Sequence, residues 1–269
     1  MLPAVPPDAG PHTGTLFAAS DLLRPVSSAH DLYEAVHRGT PGDLAFYRRV
    51  CEGAGSVLEL GCGYGRVLMM LAGAGHPADA LWGLERDEEM LRRARARVPG
   101  ATLVAGDMAA LDLGRRFDRI LAPHSALWCL EDDDAVRRTL ARVASNLAPG
   151  GIFAFDVWNA DGFHDEAEPG DDPLAEAEPL VAVVVEDVAW SVWENSSWDR
   201  DARRLVARYE HRSDDGRLVH SEIVHHYVLC ERLEQMLRDA GLTPETHGGF
   251  GGEPWSTETD STVVSARCR

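Results

Sequence analysis

The sequence predicts an α/β fold built on one open and mostly parallel sheet. Short apolar runs alternate with amphipathic helical segments between about residues 56 and 158, and the first run ends in a glycine-rich turn that opens a helix. Strands that alternate with helices in this way pair in parallel, with helices covering both faces of the sheet. The chain has 269 residues, 45% of them hydrophobic, which is enough for such a core and one further elaboration.

The first 160 residues are predicted to hold an N-terminal arm and most of the core. Residues 1–17 are rich in proline and glycine, which indicates a flexible arm, and residues 18 to about 50 show helical apolar spacing. Pro99-Gly100 and Pro149-Gly150-Gly151 are expected to stop the second and third core helices. The predicted core strands lie at 56–60, 78–85, 101–106, 117–123 and 152–158, and the core helices at 66–74, 87–98 and 132–147.

The strand–helix alternation breaks after the fifth strand. Residues 161–179 are acidic and contain proline and glycine, so we expect a loop there. From 180 to 229 the apolar period is close to two, with a turn signal at 214–216, which predicts three or four antiparallel strands. Residues 230–269 then return to the core, with a helix over 230–241 and strands near 244–249 and 262–268.

Charge and cysteine usage exclude several classes of function. The formal net charge is -18, so the surface repels phosphate backbones and nucleic acid is a poor partner. The five cysteines are scattered without a C-x-x-C pair, which argues against a disulfide frame and a structural zinc site, and no acid or histidine cluster has metal-ligand spacing. No secretory leader opens the chain and no apolar run is long enough to span a bilayer, so we expect a cytoplasmic protein without membrane contact.

The segment VLELGCGYG (57–65) predicts a ligand-binding turn. A buried strand runs directly into Gly61, Gly63 and Gly65 and then into a helix. Glycines at such a turn let a ligand approach the peptide N–H groups at the N-terminus of the helix. The spacing G-x-G-x-G differs from the G-x-G-x-x-G of dinucleotide enzymes.

Three acidic residues lie at, or directly after, the carboxyl ends of successive strands around this turn. Glu59 could pair with the ammonium group of an amino-acid ligand, and Glu85 could accept hydrogen bonds from two ribose hydroxyls. Asp107 could accept from an adenine amino group while Met108 packs on the ring. Each acid alone could be a surface cap, but together, at the carboxyl edge of a parallel sheet, they suit an adenosyl group with an amino-acid tail.

The stretches VLELGCGYGR (57–66), GLE (83–85), GDM (106–108) and LAPGG (147–151) resemble class I S-adenosylmethionine-dependent methyltransferases. The resemblance implies S-adenosylmethionine as the cofactor and an open seven-stranded Rossmann-like methyltransferase sheet whose last strand runs antiparallel between its neighbours. Tyr64 departs from the small residue or threonine that is more usual in the family. The cofactor-binding residues it implies are Glu59, Gly61, Cys62, Gly63, Gly65, Glu85, Arg86, Asp107, Met108 and Pro123.

Within that class, the chain is similar in plan to the small-molecule branch with glycine N-methyltransferase and the sugar-amine N,N-dimethyltransferases. The similarity rests on DLYEAVHRG (31–39) in a helical arm, the antiparallel insertion and the AGL turn (240–242). It implies a small-molecule acceptor methylated at N or O, in natural product biosynthesis, and leaves a homodimer open as the assembly. The candidate catalytic residues are Tyr33, His124 and His226.

Several alternatives remain open at the level of sequence. The closest register to the sugar enzymes places Cys129, not His124, at their histidine position, and adjacent His225 and His226 point to opposite faces of a strand. Three tryptophans lie close together in the insertion, Trp190, Trp193 and Trp198. They either cover the acceptor or pack the added sheet onto the core. The other functional hypotheses are a protein or peptide methyltransferase, an NAD(P)-dependent oxidoreductase and a non-catalytic S-adenosylmethionine-binding module.

Overall fold

The computed structural model describes residues 28–166 and 177–268. The predicted flexible arm, the first part of the helical pattern and the middle of the acidic loop lie outside these residues. The rest of the helical pattern forms two helices, α1 (Ala29–Val36) and α2 (Asp43–Cys51). Ser28 caps α1 through a capping box with Asp31, and the chain breaks before α2 at a glycine, Gly42, with a left-handed backbone (φ 94°).

The core begins as predicted, with strands and helices that alternate along the chain. Asp87 and Asp132 cap the second and third core helices, since their side chains accept hydrogen bonds from the backbone N–H groups of Met90 and Ala135. These elements are β1 (Val57–Leu60), α3 (Arg66–Gly73), β2 (Leu81–Glu85), α4 (Glu88–Arg97), β3 (Thr102–Ala105), β4 (Phe117–Ala122), α5 (Asp133–Asn146) and β5 (Leu147–Trp158).

The prediction for β5 is wrong at its start. The proline and glycines at 149–151 were expected to separate the helix from a strand at 152, but the strand begins at Leu147. Leu147 pairs with Phe117 on β4, and a register shift separates this pair from the one between Arg119 and Ile152. The irregularity accommodates Pro149, which cannot donate to a regular ladder.

An antiparallel four-stranded sheet follows β5, as predicted. The start of the expected acidic loop is instead a short helix, α6 (Ala160–Glu166). The strands are β6 (Glu178–Val185), β7 (Val188–Asp199), β8 (Arg204–Ser213) and β9 (Leu218–His226), in the spatial order β6-β7-β8-β9. The predicted turn at 214–216 joins β8 to β9, and the inner face of the sheet packs on α1 through Leu32, Trp190 and Val192.

The chain ends by completing the main sheet. Helix α7 (Cys230–Asp239) leads to β10 (Leu242–His247) and β11 (Ser261–Cys268). The seven-stranded sheet has the order β10-β11-β5-β4-β1-β2-β3, and β11 runs antiparallel between β10 and β5. This confirms the predicted methyltransferase-type sheet, and it brings the carboxyl ends of β1 to β4 together at one edge. In the part of the chain that the structure describes, no helix is both long and apolar enough to cross a membrane.

Candidate active site

A cavity of about 710 Å³ opens at the carboxyl edge of β1 to β4. The main sheet forms its floor, α1 covers one side, and β9 of the four-stranded sheet closes another. Nine of the ten predicted cofactor-binding residues line it, namely Glu59, Gly61, Cys62, Gly63, Glu85, Arg86, Asp107, Met108 and Pro123. Gly65 does not: it lies against α4, where an added Cβ would be 3.2 Å from that of Ala94.

The glycine turn exposes backbone to this cavity. Gly61 and Gly63 have φ values of 64° and 53°, a region that side chains other than glycine rarely adopt. A Cβ added at Gly63 would meet no heavy atom within 4 Å, so its backbone borders open space. The Gly63 N–H donates to Glu85 Oε2 at 2.9 Å, and Glu85 Oε1 accepts from the Asp87 N–H at 2.9 Å. A carboxylate with two such bonds still has lone pairs for two ligand hydroxyls.

Glu59 and Arg66 place an acid and a guanidinium on the same cavity. Glu59 is 3% exposed, and its Oε2 has no hydrogen-bond partner within the described residues. Burial raises the pKa of this carboxyl to about 8, against the opposing effect of the Arg66 guanidinium. Arg66 donates through Nη2 to Asp43 Oδ2 at 2.6 Å, while its Nη1 is buried and, among the same residues, unpartnered. A carboxyl oxygen of Glu59 and the Nη1 of Arg66 are thus both left without a partner, and they complement the ammonium and carboxylate of an amino-acid ligand.

Asp107 and Met108 lie at the far end of the cavity, after β3. The Asp107 carboxylate accepts from the Ala109 N–H at 2.8 Å and so caps a short 3-10 turn that holds Met108 over the glycine turn. Asp107 and Met108 both line the cavity. This pair offers a flat heterocycle a hydrogen-bond acceptor and a polarisable apolar surface.

Uncharged aromatic side chains occupy the side of the cavity covered by α1. Tyr33 and His37 lie one helical turn apart, with their rings tilted and the ring centroids 4.4 Å apart. The His37 ring centroid lies 6.2 Å from that of His124 and 5.2 Å from that of Tyr209. Burial lowers the pKa of His37 to about 4 and that of His124 below its usual value, and it raises the pKa of Tyr33. Both imidazoles and the phenol are therefore neutral near pH 7.

The two adjacent histidines of β9 are both already paired. His226 borders the cavity, but its Nε2 lies 2.9 Å from Asp133 Oδ1, which also accepts from Arg203. His225 lies on the opposite face of the strand, where its Nδ1 accepts a hydrogen bond from Trp158 Nε1 at 2.9 Å, and burial together with nearby His124 lowers its pKa to about 4. The catalytic role predicted for His226 remains a prediction, and the ion pair gives that side chain a structural partner.

The tryptophans of the four-stranded sheet support its packing and do not line the cavity. Trp190 is 1% exposed and packs with Leu32 of α1. Trp193 stacks with Arg212, and Trp198 donates to the Tyr227 hydroxyl at 2.7 Å. These contacts favour the interpretation that the tryptophans attach the added sheet to the core.

Sequence reasoning missed several residues that line the cavity, among them His37 and Arg66. His37 lies four residues after Tyr33, which puts the two on the same face of a helix, so its place beside Tyr33 could have been predicted from the sequence. Arg66 directly follows the last glycine of the turn, which places it at the first position of α3. Its partner Asp43 is 23 residues earlier in the chain, and no local pattern links the two.

The comparison with characterised proteins decides the family. The chain is 30% identical over 243 residues to the dTDP-3-amino-3,6-dideoxy-alpha-D-glucopyranose N,N-dimethyltransferase of Streptomyces fradiae, covering 83% of this chain and 90% of that enzyme. The chain belongs to the small-molecule branch of the class I S-adenosylmethionine-dependent methyltransferases. Residues 57–151 of this methyltransferase also match the family model described as a methyltransferase domain.

Solved structures support the same assignment. The methyltransferase is similar to the CcbJ methyltransferase from Streptomyces caelestis, with a TM-score of 0.70, 27% identity, and coverage of 86% of this chain and 97% of that one. It shares its fold with S-adenosylmethionine-bound CalS10, an amino pentose methyltransferase from Micromonospora echinaspora. The TM-score is 0.67 and the identity 24%, and the match covers 95% of this chain and 100% of that one. The orphaned buried atoms of Glu59 and Arg66 show that the cavity suits the cofactor of this family.

Proposed function

We propose that this methyltransferase transfers methyl groups to the amine of an amino sugar. The observation that carries the proposal is the extent of the match to the Streptomyces fradiae N,N-dimethyltransferase. That match spans 83% of the chain, so it extends well beyond the cofactor-binding segments and takes in elements on the acceptor side. By contrast, the trans-aconitate 2-methyltransferase of Methylobacterium nodulans is 35% identical over only 101 residues, 38% of the chain.

The residues proposed to hold the cofactor divide by its parts. Glu59 and Arg66 would bind the ammonium and carboxylate, and the Gly61–Gly63 backbone would border the methionine chain. Glu85 would accept from the ribose hydroxyls, and Asp107 with Met108 would hold the adenine. Bound S-adenosylmethionine supplies an electrophilic methyl group on its sulfonium.

The lining beside α1 suits a free amine. An ammonium ion has no lone pair, so the acceptor must reach the methyl group uncharged. Tyr33, His37 and His124 are neutral near pH 7, and a neutral, half-buried lining favours the amine over its cation. The methylated nitrogen would be cationic, and a neutral His124 would accept the proton that it releases. Holding the amine in line and free of water supplies most of the acceleration.

The proposal is tested by offering acceptors that differ in the reacting group. The purified protein is incubated with S-adenosylmethionine and dTDP-3-amino-3,6-dideoxy-glucose, and the product mass is followed for the addition of one and then two methyl groups. Parallel incubations use the same nucleotide sugar with a hydroxyl in place of the amine, and trans-aconitate. Methylation of the hydroxyl sugar or of trans-aconitate, without methylation of the amine, would overturn the proposal.

A further inference from the structure

Two consecutive residues at the cavity, His124 and Ser125, have a left-handed backbone, with φ values of 54° and 57°. This region is unfavourable for residues other than glycine. Among the described residues, three others that are not glycine have a positive φ: Glu186, Asp187 and Arg203. They lie in the tight turns of the four-stranded sheet, where such angles are common. The turn that carries His124 is therefore strained at a place where no hairpin requires it.

Strand β5 holds this turn through hydrogen bonds to both residues. The His124 N–H donates to Asp156 Oδ1 at 2.9 Å, and the Ser125 N–H donates to the Asp156 carbonyl oxygen at 2.9 Å. In return, the Trp158 N–H donates to Ser125 Oγ at 3.0 Å. A strained backbone persists only where its surroundings fix it, and here the Asp156 carboxylate is the side chain that does so.

Helix α2 in turn fixes the Asp156 carboxylate. The Tyr47 hydroxyl donates to the same Oδ1 at 2.5 Å, and both side chains are buried, with 0% and 4% exposure for Tyr47 and Asp156. Burial raises the pKa of Asp156 to about 6 and that of Tyr47 well above its usual value, so near neutral pH the phenol donates and the carboxylate accepts. Neither side chain lines the cavity, and His124 is the cavity residue to which the Asp156 carboxylate is hydrogen-bonded.

We propose that Asp156 and Tyr47 are positioning residues that hold the strained turn and so fix the imidazole of His124 beside the acceptor. The proposal rests on the proposed function, because it takes the acceptor amine to lie next to His124. The variants that test it are Asp156→Ala, which removes the acceptor oxygen, Asp156→Asn, whose amide oxygen can accept the same two hydrogen bonds, and Tyr47→Phe. Thr139→Val is the matched control, since Thr139 of α5 is fully buried and its Oγ1 has no partner in the described ranges.

Three measurements separate positioning from a general structural role. For Asp156→Ala we expect kcat/KM for dTDP-3-amino-3,6-dideoxy-glucose to fall by about 10- to 100-fold, because a small misplacement of a group in the site is costly. The affinity for S-adenosylhomocysteine should stay unchanged. Asp156→Asn should recover most of the loss, and Tyr47→Phe should show a smaller fall. The ring signals of His124 in histidine-labelled protein, assigned with His124→Gln, should move in Asp156→Ala and stay in Asp156→Asn and Thr139→Val.

Two outcomes would overturn the positioning role. One is an unchanged His124 signal in Asp156→Ala, whatever the turnover. The other is a loss of S-adenosylhomocysteine affinity as large as the loss of turnover, which would assign Asp156 to the fold or to the cofactor site. If the wild type methylates none of the amines offered, the proposed function has failed, and the histidine signals still decide whether Asp156 positions His124.

Discussion

At the scale of single residues, the buried carboxylate of Glu59 couples cofactor binding to pH. Its pKa of about 8 means that it is mostly protonated near pH 7 in the free protein. An ammonium group favours the ionised form, so binding releases a proton, and linkage requires the affinity to rise with pH below that pKa. We expect the affinity for S-adenosylhomocysteine to rise up to about tenfold per pH unit between about pH 6 and 7.5, measured by titration calorimetry.

The Glu59→Gln variant removes the titrating group. It should bind the ligand more weakly at the upper end of this range and with little dependence on pH. Glu131→Gln is the matched control, because Glu131 also lines the cavity but is exposed, and it should keep the slope of the wild type. An equal slope in Glu59→Gln would show that another group carries the proton linkage.

His124 and His226 allow a second comparison within one cavity. His124→Gln should lower kcat for the amino sugar by roughly 10- to 100-fold, since it removes a neutral base beside the acceptor. His226→Gln should leave kcat near that of the wild type and lower the melting temperature, because it breaks the contact with Asp133. Steady-state kinetics and thermal unfolding of both variants check this, and a larger loss of kcat in His226→Gln would reverse the two roles.

At the scale of elements, α1 depends on α4 for its position. An eight-residue helix is marginal alone, so its ties to other elements decide where Tyr33 and His37 lie. Arg93 of α4 is only 13% exposed and pairs with Asp31 at 2.7 Å and with Glu34 at 2.8 Å, both on α1.

We therefore expect Arg93→Ala to lower the melting temperature and to raise KM for the amino sugar several-fold, because Asp31 loses its ion-pair partner and Glu34 keeps only Arg97. Arg92→Ala is the control: Arg92 is 66% exposed, and its one ion pair within the described residues is with Glu89 of its own helix, a surface contact that contributes little to stability. Unfolding curves and acceptor kinetics of both variants test the prediction, and equal effects in the two would contradict it.

The core elements and the cofactor residues could be predicted because their signals are local. The glycine turn and the acids that follow β2 and β3 are each set by a few neighbouring positions. Asp156 could not be predicted in this way, because its hydrogen bond to Tyr47 joins residues 109 positions apart. The start of β5 was missed for a similar reason: a proline and two glycines indicate a break locally, while pairing of Leu147 with Phe117 makes the segment a strand.

At the scale of the whole molecule, the cavity is lined by two sheets and one short helix. The chain has a net charge of -18, so its negative electrostatic field acts on every ligand that approaches the cavity. The field attracts the cationic sulfonium cofactor and repels a nucleotide sugar with its two phosphates. The guanidinium groups of two arginines at the cavity, Arg86 and Arg204, form no ion pair within the described residues and would attract the same phosphates locally. The two effects have opposite signs and different ranges.

Varying the ionic strength separates the repulsion by the whole molecule from the local attraction by the two arginines. The Debye length falls from about 30 Å at 0.01 M to about 8 Å at 0.15 M, so added salt screens the distant acids while close contacts with Arg86 and Arg204 are screened less. We expect kcat/KM for dTDP-3-amino-3,6-dideoxy-glucose to rise several-fold over this range, while the affinity for S-adenosylmethionine falls. If kcat/KM instead falls with salt, and Arg204→Ala removes that fall, the local arginines dominate the approach of the acceptor and the charge of the whole molecule does not.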